Sequence, residues 1–114
     1  MKRIAAVLLA GALSCASSAA ADERDPAAAE VAFERAKLLM RDGPSAEACA
    51  LFAESHRLDP GVGVLLYLGD CYEKIDKTAS AWAAFREAAA AARARDQPDR
   101  QAAAEERIAA LEPK

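Results

Sequence analysis

The sequence predicts an all-α protein built of antiparallel helix hairpins, about five helices following an N-terminal leader. Three observations lead there. Hydrophobic residues make up 54% of 114, much of it Ala, with 29% charged residues and only five Gly and five Pro. Ala, Glu, Arg and Lys favour helix, and the balance is neither disordered nor collagen-like. Apolar residues recur at three- and four-residue spacing in segments separated by Asp, Gly and Pro breaks. Finally, Ala48, Phe52 and Ser55 stand 33 residues before Ala81, Phe85 and Ala88.

Residues 1–21 read as a secretory signal peptide: Lys2-Arg3, an apolar run from Ile4 to Leu13, and Ala19-Ala20-Ala21 before Asp22. The run is too short to span a bilayer, so no membrane span is expected after signal removal. The alternative is a lipoprotein anchored through Cys15. Cleavage removes two bases and no acid, leaving 13 basic and 18 acidic residues, a net charge of −5. That balance lacks the basic stripe of a nucleic-acid binder. Export, most simply to the periplasm, also permits a disulfide between the two remaining cysteines, Cys49 and Cys71. They sit on neighbouring helices, and as free thiols they serve equally as small apolar fillers.

The helical domain spans residues 22–114. Asp25-Pro26 supplies a cap and first-turn proline for a helix to about Arg41, with Val31, Leu38 and Leu39 as its apolar positions, together with Ala32, Ala36 and Phe33. Asp42-Gly43-Pro44 ends it. Ser45 caps a second helix, about 46–58, which Asp59-Pro60-Gly61 stops. The third, about 62–75, is apolar on two sides through Leu65, Leu68, Cys71, Tyr72 and Ile75, as in a helix between neighbours. Thr78 is expected to cap a fourth, about 79–95. Its buried stripe is Ala81, Trp82, Phe85, Ala88, Ala89 and Ala92, with Trp82 largely buried near Ile108. A fifth, about 99–111, has one weakly apolar side and one polar side.

Leu65, Leu68-Gly69, Tyr72, Ala81, Phe85 and Ala88, partly repeated by Gly43, Ala48, Phe52, Ser55 and Pro60, resemble the tetratricopeptide (TPR) family, whose helix–turn–helix repeat is about 34 residues. Repeat one then covers about 29–61, repeat two about 62–94, and the last helix, about 98–111, is a solvating cap. The run Leu58-Asp59-Pro60-Gly61, Leu68-Gly69-Asp70-Cys71-Tyr72 and Thr78-Ala79-Ser80-Ala81-Trp82 is similar to exported bacterial TPR proteins. The resemblance implies a short right-handed solenoid and a non-catalytic scaffold or adaptor that binds a protein or peptide. The alternative is a structural helical module of a larger envelope protein.

Enzymatic chemistry finds no support. Gly61-Val62-Gly63 lacks a third glycine and a preceding strand. His56 is the single histidine, which leaves a zinc site without ligands, and no serine has a base at usable spacing. No cofactor is expected. The family's concave groove is lined by the first helix of each repeat. Here that face carries Phe33, Lys37, Met40 and Arg41, and a shift of 33 gives Leu66, Asp70, Glu73 and Lys74. The family's clamp for acidic chaperone tails needs Lys and Asn, but Phe33 and Asp70 occupy matching places.

Overall fold

The computed structural model describes residues 23–112 together with Gly11, and the expected signal peptide and Cys15 lie outside them. The described residues form five helices and no strand: α1 (Pro26–Arg41), α2 (Ala46–Leu58), α3 (Val62–Lys74), α4 (Thr78–Ala94) and α5 (Pro98–Leu111). Each begins or ends within a residue of the expected position, because the break residues act as the sequence suggests. The Asp25 side chain accepts from the Ala28 amide at 3.0 Å and Ser45 Oγ from Ala48 at 3.1 Å. Gly43 takes φ +128°, a conformation that side chains resist.

The α3–α4 and α4–α5 connections are the same turn. In each, an Asp sits in the left-handed region, Asp76 at φ 61° and Asp96 at φ 54°. The next amide then reaches back to the last helical turn, Lys77 to the Tyr72 carbonyl and Gln97 to that of Ala92, both at 2.9 Å. This is a Schellman closure. It leaves a single residue before the following helix, so Lys77 holds the cap position of α4. Thr78, expected as the cap, is the first helical residue, and no side chain caps α4.

Sequential helices pack on one another. The Asp25 amide donates to the Leu58 carbonyl at 3.0 Å, and Ser55 Oγ to that of Ala29 at 2.8 Å, so α1 and α2 run antiparallel. Arg95, past the end of α4, reaches the Pro60 carbonyl at the entrance to α3. Parallel relations skip one helix. Phe33 of α1 meets Tyr67 of α3, and His56 of α2 meets Glu87 of α4 at 3.2 Å. Both pairs sit at similar depths along their helices.

The core is thin and made of small residues at the crossings, Ala36, Ala48, Ala81, Ala88 and Ala104, with Phe52, Leu65 and Phe85 as the large fillers. The α1 face is as expected at Ala32 and Ala36 and differs at Val31 and Leu38. Its buried residues are Ala29, Ala32 and Ala36, whereas Val31 and Leu38 are exposed. Close approach to α2 selects the alanine stripe and turns the larger side chains outward.

Gly69 lets α3 approach α4. A Cβ there would lie 2.7 Å from two ring atoms of Phe85, which is itself 2% exposed and cannot yield. Gly69→Ala should therefore destabilise by about 1–3 kcal/mol from overpacking, only partly offset by the roughly 1 kcal/mol that Ala gains in helix propensity. Chemical denaturation measures the balance, and a midpoint at or above wild type would show that the helices can separate.

Trp82 is half-buried, not largely buried. With Thr78, Ala79 and Leu111 it lines a cavity of about 350 Å³, and the Arg86 guanidinium carbon sits 4.7 Å from its ring centroid. Its Nε1–H is buried and meets no acceptor among the described residues. Leaving that donor unmet costs about 1–3 kcal/mol. Trp82→Phe should thus fall within about 1 kcal/mol of wild type. Trp82→Ala should cost about 2 kcal/mol, short of the 3–5 kcal/mol of an enclosed tryptophan. Paired thermal melts check both.

Candidate functional site

Two depressions follow one another between the parallel helices α1 and α3, and Tyr67 belongs to both. The first, about 310 Å³, is bounded by Glu30, Phe33, Asp59, Val64 and Arg100 among others. The second, about 340 Å³, is formed by Lys37, Met40, Arg41, Phe52, Tyr67, Asp70 and Lys74. They lie in line along the two helices, one on each side of the Phe33–Tyr67 ring contact, and the pair is called the groove below.

An aromatic triad forms its waist. The Tyr67 ring stands edge-on to Phe33 at 5.0 Å and stacks on Phe52 at 5.5 Å, and Phe33 meets Phe52 edge-on at 5.7 Å. Such pairs are worth about 0.5–1.5 kcal/mol each beyond burial. They fix a tyrosine that is nevertheless 46% exposed. Phe52 reaches this place from α2 because it is the one large side chain at the centre of the α2 buried face.

Charged residues rim the groove. Lys37 Nζ lies 4.9 Å from the Phe33 centroid and 3.1 Å from Glu34. Lys74 pairs with Asp70 at 2.9 Å, one turn apart. Elsewhere, on exposed α2 positions, the Arg57 guanidinium bonds to Glu54 and holds that carboxyl below its ordinary value.

Of the eight residues expected in the groove, six line it: Phe33, Lys37, Met40, Arg41, Asp70 and Lys74. Glu73 and Leu66 do not. Glu73 bonds to Arg107 of α5, and Leu66, seven residues earlier on the same side of α3, packs against the core. Tyr67, Phe52, Glu30 and Arg100 line the groove but were not foreseen. Tyr67 had a readable signal, since it lies three residues before Asp70 and seven before Lys74 on one helical face.

Cys49 and Cys71 are bridged, with Cα atoms 5.5 Å apart, tying the start of α2 to the end of α3. Cys71 also touches Met40 of the groove, with the sulfur atoms 3.5 Å apart. His56 is more than a partly exposed helix residue. Its Nδ1 accepts from the Gly61 amide at 3.3 Å, which serves an α3 start that has no side-chain cap.

Among the described residues, no group of three His, Cys, Asp or Glu is gathered to hold a metal ion. None of the described helices is long and apolar enough to cross a membrane. No family model matches the chain, and no curated protein or solved structure is similar to it.

Proposed function

We propose that the chain is an exported, non-catalytic TPR-type adaptor whose groove between α1 and α3 holds an extended segment of a partner protein. In this reading the helix hairpins stack as a short right-handed TPR-like solenoid with α5 as its cap. The parallel course of α1 and α3, with α2 antiparallel between them, supports that stacking. The Cys49–Cys71 bridge is compatible with an oxidising compartment. The observation that carries the reading is Tyr67, half-exposed yet braced by Phe33 and Phe52 where the two depressions meet. Rigid aromatic anchors in partly enclosed sites dominate binding energy, while exposed rim charges tune specificity and rate.

Tyr67→Ala and Phe33→Ala should each weaken a partner by about 1–3 kcal/mol, and Lys37→Ala by less. Charge reversal at Arg41 should mainly slow association. The test is co-purification from cell-envelope extract, comparing wild type with a folded Lys37, Arg41, Tyr67 and Asp70 quadruple alanine variant. Loss of specific proteins with the variant is expected. Identical sets of retrieved proteins would leave the structural-module reading instead.

A further inference from the structure

Taking the groove as the binding site, we infer that it imposes a charge order on its occupant. The occupant is an extended peptide that is acidic at one end, basic at the other, with bulky apolar residues between. The two depressions differ in sign. Lys37, Arg41 and Lys74 face a single acid, Asp70, where α1 and α3 end. Glu34 pairs with Lys37 from outside and leaves that end net positive. Where the helices begin, Glu30 and Asp59 face a single base, Arg100. This cationic end belongs to a chain of net charge −3, so it is a local feature and not the average of the surface.

Helix dipoles do not erase the pattern. α1 and α3 present their positive ends at the acidic depression, but antiparallel α2 presents the opposite pole beside them. Whole side-chain charges therefore set the sign.

Length follows from geometry. The 16 residues of α1 span about 24 Å at 1.5 Å each. An extended peptide covers that distance in about seven residues. Its middle residues fall on the Tyr67 and Phe33 rings, and the flanks meet the two charged ends.

The probe is a labelled heptapeptide with blocked termini, Asp-Asp-Leu-Phe-Leu-Lys-Lys, titrated with the intact mature protein by fluorescence anisotropy. Its control, Asp-Lys-Leu-Phe-Leu-Asp-Lys, has the same composition with interleaved charges. We expect the ordered peptide to bind about tenfold more tightly, the sum of several exposed ion pairs, with the difference shrinking at high salt. Arg41→Glu with Lys74→Glu should remove the preference while circular dichroism stays unchanged. If both peptides bind equally and Tyr67→Ala abolishes both, the charge order is wrong and the groove stands. If neither binds, or Tyr67→Ala changes nothing, the groove reading falls with it.

Discussion

Phe52→Ala should destabilise the protein by about 3–5 kcal/mol, the usual cost of emptying an enclosed phenylalanine site. Phe52 is 1% exposed and heads the fully buried side chains by size. It sits on α2 but touches Phe33 of α1 and Tyr67 of α3. Its loss therefore loosens two helix interfaces and the floor of the groove together. A domain of this size holds about 5–13 kcal/mol in total, so the variant should retain a small margin. At about 4–8 °C per kcal/mol, the melting temperature should fall by roughly 12–40 °C. Phe52→Leu refills most of the volume and should cost about 1 kcal/mol, yet it still removes the stacking under Tyr67. Melting by circular dichroism measures both, and a shift of a few degrees for the alanine variant would place Phe52 outside the core.

Breaking the Cys49–Cys71 bridge is the second large effect. The two cysteines are 22 residues apart. Closing a loop of that size restricts the unfolded chain by about 3 kcal/mol. The bridge also crosses the α2–α3 boundary, where contact is less extensive than within the α1–α2 or α3–α4 pairs. Reductant, or Cys49→Ala with Cys71→Ala, should lower the melting temperature by roughly 12–24 °C. The double variant should then be indifferent to reductant. Amide exchange should rise first in α1 and α2, the pair held to the rest by this contact. Thiol titration of unfolded, non-reduced protein provides the check: a bridged chain shows neither Cys49 nor Cys71 as free thiol, and two reactive thiols from them would contradict the bridge.

Helix existence and extent were legible because strong local signals mark them. Asp25-Pro26, Asp42-Gly43-Pro44 and Asp59-Pro60-Gly61 each restrict the backbone within a few residues. Side-chain facing was harder. Val31 and Leu38 look like core by size, but alanine permits a closer α1–α2 approach, and periodicity alone does not choose between the two stripes.

The groove was half legible, with a specific cause. A shift of 33 carries a residue to the same side of the next equivalent helix. Phe33 and Met40 of α1 look toward α3, and the counterpart Glu73 looks toward α5 while Leu66 packs on the core. The opposing wall is built from the other side of α3, where Tyr67 lies. Asp70 and Lys74 line the second depression with half-exposed side chains. Trp82 holds the repeat position of Cys49, which faces the next helix, and so reads as interior in the sequence. Its place near the last turn of α5 leaves one side of it open.

A photo-crosslinking residue at Tyr67 tests most directly whether a partner segment sits between α1 and α3. The same residue at Ala90, exposed on α4, is the control. After irradiation in cell-envelope extract, crosslinked products are digested and mapped by mass spectrometry. The expected result is a product specific to position 67, confined to one short segment of one partner, and suppressed by excess of the charge-ordered heptapeptide. The same products from positions 67 and 90, or none from position 67, would contradict the claim.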